Sequence, residues 1–170
     1  MLNNNMATRG KNLSKIDLAY MAGFIDGEGC ISIYKWSKKK MKNDNVKTQG
    51  YGLELSIGNT DYKTLRWIQD NVGGKIYEKK IKINLKKLWI WKMTGTKLTP
   101  FLKLIIPYLK QKKEQARSAF EFRKAKERKL HQQNFRGLTE EDAKFRKKCF
   151  IKIKQLKKGL PAETKREDAQ

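Results

Sequence analysis

A chain of 170 residues and 19.9 kDa is long enough for one domain with a buried core. Its 40 Lys and Arg residues against 17 Asp and Glu give a formal charge of +23 and a sequence pI near 10.0, which calls for a polyanionic partner. No apolar run approaches the roughly 18 residues of a spanning helix, and the basic segments hold polar and β-type residues, which argues against a membrane role.

Residues 1–14 read as a flexible lead with no targeting signal. Ser14 and Asp17 have capping-box spacing and predict a helix over Lys15 to Ile25. Leu18, Met21, Ala22 and Ile25 form its burial face, while Ala19, Gly23 and Asp26 make a ridge with little side-chain bulk. Such a ridge lets another backbone approach. Gly27 is the expected left-handed stop. From Gly29 to Trp36, Ile31 and Ile33 alternate with Ser32 and Tyr34 as in a half-buried strand. A basic loop over 37–47 leads to a second strand carrying Tyr51, Leu53, Leu55 and Ile57, and the two make a hairpin.

Asn59 or Thr60 is expected to cap a helix over Asp61 to Asn71, with Leu65, Ile68 and Val72 inward and Gly73-Gly74 ending it. Lys75 to Ile83 and Leu88 to Met93 read as a second hairpin, with Trp89, Trp91 and Tyr77 as packing aromatics. Thr96 opens a helix with Leu98, Phe101, Leu102 and Ile105, stopped by Pro107, and Lys112 to Leu130 reads as another. Thr139 with Asp142 forms a second capping box, Leu138 with Ala143 a staple, for a last helix bearing Phe145, Cys149, Ile153 and Leu156. Residues 15–130 form the core and 131–170 a C-terminal helix and frayed tail. The layout is α+β with one four-stranded sheet and no internal repeat.

Cys30 and Cys149 are too few and too far apart for a zinc pattern or a disulfide framework, so a reducing intracellular compartment is expected. An organelle matrix or stroma and a prokaryotic cytoplasm fit equally. The single histidine, His131, leaves no material for a nuclease built on several histidines.

The helix end carries the chemistry. Asp26 and Glu28 stand among Gly23, Gly27 and Gly29, next to carbonyls of partial negative charge, where a hard cation is attracted. A buried helix with a glycine cap accounts for the apolar positions and for Gly27, but not for two acids in that turn. Leu18 to Gly29, and above all Ala22-Gly23-Phe24-Ile25-Asp26-Gly27-Glu28-Gly29, resembles the signature of the LAGLIDADG homing endonucleases. The resemblance implies the αββαββα fold over residues 15–130, its four-stranded antiparallel sheet forming a saddle over DNA, with additional C-terminal helices. One motif per chain implies a homodimer through the helix at 15–26, and a long, roughly palindromic duplex as target.

The implied activity is a site-specific, Mg2+- or Mn2+-dependent double-strand break of the kind used in intron homing. Glu28, with the Gly27 carbonyl, would hold the metal; many family motifs carry aspartate there, and glutamate is a longer-armed variant. Asp26 either braces the helix end or ligates directly. Asn59 matches a water-positioning glutamine, and Lys63 a basic position. In Pro107-Tyr108-Leu109-Lys110-Gln111-Lys112-Lys113-Glu114-Gln115-Ala116, alignment on Gln115-Ala116 selects Lys112 as the catalytic lysine, while a slip selects Lys110 or Lys113.

Lys35, Trp36, Lys38, Lys40, Gln49, Lys79, Lys80 and Lys82 are the candidate DNA contacts, most of them to phosphate. The alternative function is a non-cleaving nucleic-acid binder on the same scaffold, an RNA splicing maturase or a DNA-binding regulator. Glu78-Lys79-Lys80 also fits the acid-x-lysine pattern of a different nuclease, but no upstream Pro-Asp accompanies it. A basic ribosome- or nucleoid-associated protein explains the charge and leaves the glycine-flanked acids without a role.

Overall fold

The computed structural model describes residues 13–39, 47–80, 86–130 and 139–159. Helix α1 (Lys15–Glu28) runs directly into β1 (Gly29–Lys39), which pairs with β2 (Lys47–Asn59). Then come α2 (Tyr62–Val72), β3 (Lys75–Lys79), β4 (Leu88–Thr94), α3 (Leu98–Ile105), α4 (Lys113–Leu130) and α5 (Glu140–Lys157). The four strands form one antiparallel sheet in the order β1-β2-β4-β3, so the two hairpins meet along β2 and β4. The expected αββαββα order is present, with α4 and α5 following it.

Strand alternation decides the layering. Ile31, Ile33, Tyr51, Leu53, Leu55, Ile57, Trp91 and Met93 are buried on one face, together with Leu18, Met21, Ala22 and Ile25 of α1 and Leu65 and Ile68 of α2. Cross-strand partners such as Ile31 with Leu55 and Ile57 with Trp91 keep these side chains on the same side. Phe101 and Leu102 of α3 and Ala116, Ala119 and Phe122 of α4 extend that core. The residues between them, including Ser32, Tyr34, Trp36, Glu54, Ser56, Tyr77 and Lys92, lie on the opposite, open face. Among the described residues no helix is long and apolar enough to cross a membrane.

Local signals explain most boundaries; β3 ends at Lys79, with Lys80 already outside the strand expected to run to Ile83, and three others differ from expectation. Helix α1 continues through Gly27 and ends at Gly29, whose φ of −79° is extended; Gly27 is not among the positive-φ glycines. Glycine is needed at 29 for space, since a Cβ there would stand 2.6 Å from the Ile25 carbonyl oxygen. Second, the cap of α2 is Asp61 itself: its carboxylate accepts from the Lys63 amide at 3.0 Å and the Thr64 hydroxyl at 2.6 Å. Asn59 supports it by accepting from the Asp61 amide at 2.8 Å. Third, α3 starts at Leu98 without a side-chain cap, two positions after Thr96.

Both predicted capping boxes are present, Ser14 with Asp17 and Thr139 with Asp142. Gly73 and Gly74 close α2 at φ of 82° and 95°, and the Trp91 indole donates to the Gly73 carbonyl at 2.8 Å, tying α2 to β4. Phe145 is 39% exposed, so it is not part of the inward face expected for α5. The end of the second hairpin, Leu138 of the expected staple, and His131 lie outside the described residues.

The caps carry a pH signature. Hydrogen bonds from Ser14 hold Asp17 below the ordinary carboxylate value of 3.8, and those from Thr64 and the Lys63 amide do the same for Asp61. A folded-state pKa below the unfolded one gives stability that is present above the unfolded value and lost as pH falls through the folded one. The urea midpoint should therefore decline below a pH of about 4. In Ser14→Ala with Thr64→Ala that decline becomes shallower, as followed by circular dichroism.

Candidate catalytic and nucleic-acid-binding site

The lysine at the C-terminal end of α1 comes from a segment more than 80 positions later in the chain. The carboxylate of Asp26 accepts from the Lys110 amide at 2.7 Å and from the Lys112 amide at 2.9 Å, one oxygen to each. This fastens the turn between α3 and α4 to the last turn of α1. With its backbone held there, Lys112 donates its ammonium to the Ile25 carbonyl at 3.1 Å and to the Asp26 carbonyl. A cation on the unpaired carbonyls of a helix terminus is the favourable sense of the helix dipole, and α1 has no basic residue of its own in that turn.

The structure places the two acids differently. Asp26 is engaged by the α3–α4 turn, the bracing role, whereas Glu28 is exposed at the final helical position, beside an exposed Gly27. Of the three lysines in the segment, Lys112 is the one whose ammonium reaches the α1 carbonyls; Lys110 is exposed and meets Asp26 through its backbone. Asn59 is turned toward the Asp61 amide at the head of α2. Lys63, exposed on the first turn of α2, lines a shallow pocket with Tyr20, Thr64 and Trp67.

Among the described residues, one side of α1 is largely open. Ile16 is 81% exposed and Tyr20 52%, and nothing lies within 4 Å of where a Cβ would stand at Gly23 or Gly27. Tyr20 packs edge-on against Trp67 at 5.4 Å, so the uncovered strip continues onto α2.

The open sheet face holds Tyr34 and Trp36 lying across glycines of β2: a Cβ at Gly52 would stand 2.3 Å from the Tyr34 ring and one at Gly50 2.2 Å from the Trp36 ring. Lys79 is on this face, opposite Leu88, and Lys80 follows it, exposed. Lys35 is on the other side. It pairs across the sheet with Tyr51, and its ammonium sits 5.0 Å from the Phe150 ring of α5. Lys38 and Gln49 fall near the outer ends of β1 and β2, while Lys40 and Lys82 lie outside the described residues.

The donors at this helix end suit a hard divalent cation, since they are a carboxylate and main-chain carbonyls, all oxygen. No group of three or more His, Cys, Asp or Glu is gathered among the described residues. A second copy across the uncovered α1 strip would double the carboxylates.

A family model described as LAGLIDADG endonuclease matches residues 21–128, from the burial face of α1 to the end of α4. The chain belongs to the LAGLIDADG endonuclease family. No curated protein matches it. Among solved structures, the homing endonuclease I-CvuI in complex with its target in the presence of calcium is similar at 23% identity and a TM-score of 0.61, over 89% of this chain and 85% of that one. The archaeal intron-encoded homing endonuclease I-Vdi141I, complexed with DNA, is 20% identical with a TM-score of 0.57, over 90% of this chain and 89% of that one. I-LtrWI, bound to target DNA, is 21% identical with a TM-score of 0.57 over 85% of this chain but only 45% of its own. At these identities the likeness establishes the shared LAGLIDADG fold.

Sequence reading left Asp26 open between bracing and ligation because its partners are main-chain amides, which no side-chain pattern announces. It also missed Tyr20 with Trp67, and the Lys157 ammonium 2.9 Å from the Cys30 sulfur. Removing the Asp26 carboxylate leaves two amides without their acceptor. Asp26→Ala should lower stability by about 1–3 kcal/mol, measured by urea unfolding, with Asp26→Asn intermediate.

Proposed function

We propose that the chain is a site-specific DNA endonuclease that works as a homodimer and makes a Mg2+- or Mn2+-dependent double-strand break in a long, roughly palindromic duplex. The observation that carries this reading is the convergence at the α1 terminus: Glu28 exposed, and Lys112 delivered to the adjacent carbonyls by Asp26. A non-cleaving binder on this scaffold does not need the acid of Glu28, so its presence supports the cleaving reading.

The open strip of α1 supports the homodimer reading. Its small residues, Ala19, Gly23 and Gly27, allow two copies of the helix to pack backbone to backbone, with Ile16 and Tyr20 sealing the edges. The two-fold axis then brings two Glu28 carboxylates together at the centre and sets the two open sheet faces along one duplex.

Glu28 and the Gly27 carbonyl, from both chains, would hold the metal. When bound, the metal supplies an activated water and offsets charge on the scissile phosphate. The remaining work belongs to the chain. Lys112, whose ammonium rests on the Ile25 and Asp26 carbonyls, would stabilise the phosphate's developing charge without any unusual acidity of its amine. By the family resemblance Asn59 would orient the attacking water, although its Oδ1 here accepts from the Asp61 amide, and Lys63 would add positive charge from the head of α2. Trp36 and Lys79 would meet the duplex from the open face, with Lys80, Lys38 and Gln49 as further contacts near the strand ends; Lys40 and Lys82 are proposed contacts that lie outside the described residues. Lys35, on the opposite side, contributes charge at a distance.

The purified protein, incubated with genomic DNA of its source, should give a few discrete double-strand breaks with magnesium and none with a chelator. Glu28→Gln and Lys112→Met should each lower cutting by about 10²-fold or more. Sequencing the new ends reveals the target. Cutting that survives both the chelator and Glu28→Gln would overturn the assignment. Tight binding with no cutting would turn it to a maturase, with RNA as partner, or to a regulator.

A further inference from the structure

The open-face row of β2 reads Gly50, Gly52, Glu54, Ser56 and Gly58. Four of these five positions hold glycine or serine, and the Trp36 and Tyr34 rings lie over Gly50 and Gly52. Glu54 is the one side chain that rises from the row, and it is an acid in a chain of +23. It is not loose. Its carboxylate meets the Lys92 ammonium of the neighbouring strand at 2.9 Å, with the two side chains 21% and 33% exposed. The same ammonium lies 5.6 Å from the Tyr77 ring of β3. Glu54, and then Tyr77, raise the Lys92 pKa above its ordinary value, so the ammonium stays charged.

A lysine already compensated by a carboxylate adds little to phosphate attraction, and the carboxylate itself repels phosphate. The pair therefore contributes direction instead of bulk charge: a donor and an acceptor side by side, each with its orientation limited by the other. A G·C pair shows the matching pattern in the major groove, with the O6 and N7 acceptors of guanine beside the N4 donor of cytosine. An A·T pair places its donor between two acceptors and adds the thymine methyl, which a charged pair does not accommodate.

We propose that Glu54 and Lys92 together read one G·C base pair per chain, Lys92 donating to guanine O6 and N7 and Glu54 accepting from cytosine N4. This rests on the reading of the open face as the DNA surface. Tyr77 acts as a positioning residue that holds the Lys92 ammonium toward Glu54.

The test is selection from a randomised duplex library by the full chain, with binding read by filter retention in a chelator and sequencing of the retained pool. The wild type should enrich G·C at one position in each half of the selected site. Glu54→Gln and Lys92→Gln, both outside the core, should reduce that preference about tenfold and leave the other positions as they were. Lys79→Gln, on the same face, should instead weaken all sequences evenly and lower the salt dependence. The inference is overturned if both variants keep the wild-type preferences, or if they weaken every position evenly as Lys79→Gln does. Should the wild type retain no duplex at all, the DNA reading falls first, and this inference with it.

Discussion

The two oxygens of Asp26 bonded to the amides of Lys110 and Lys112 are the interaction on which the candidate site depends. Glu28 arrives at the end of α1 by simple continuation of the helix. Lys112 arrives there only because a turn between two later helices is fastened to the same place. Charge-assisted hydrogen bonds to main-chain amides fix position better than a salt bridge between long side chains, because one partner has no rotamers to lose. Asp26 thus holds a flexible lysine to within reach of one helix terminus, where the unpaired carbonyls steady its ammonium.

A second constraint is that α1 has too many faces for one chain to use. Leu18, Met21, Ala22 and Ile25 satisfy the core, yet Ile16 and Tyr20 stay exposed and, among the described residues, nothing stands within 4 Å of a Cβ at Gly23. The sheet has the same two-sided character: its apolar face is covered by helices, and its open face combines glycine and serine positions with aromatics laid flat and a charged pair. Both uncovered surfaces have an occupant of stated chemistry in the proposed function, a second copy for the helix and a duplex for the sheet.

Much of this was legible in the residues. The capping boxes of α1 and α5, the alternation of β1 and β2, and the Gly73-Gly74 stop of α2 are local signals, and local signals map directly onto structure. The misreadings arose where tertiary crowding decides. Gly27 has the composition of a left-handed cap, but α1 passes straight into β1, and the crowded position is Gly29. Asn59 and Thr60 both resemble caps, and only the geometry of the β2–α2 junction selects Asp61. Glu54 with Lys92 could not be seen at all before the register of β2 on β4 was known, because they are 38 positions apart and neither stands out in a chain with 40 basic residues. Lys35 shows the converse: its run of basic neighbours suggested DNA, while strand parity puts it under α5.

The central claim is that two Glu28 carboxylates, one from each copy, form a single centre. A mixed dimer of one wild-type chain and one Glu28→Gln chain, separated by two different tags, tests it on a duplex that the wild type cuts. A shared centre predicts that the mixed dimer loses cleavage of both strands. If one strand is still cut at the wild-type rate, each chain holds an independent site, and the α1 termini do not form a shared centre.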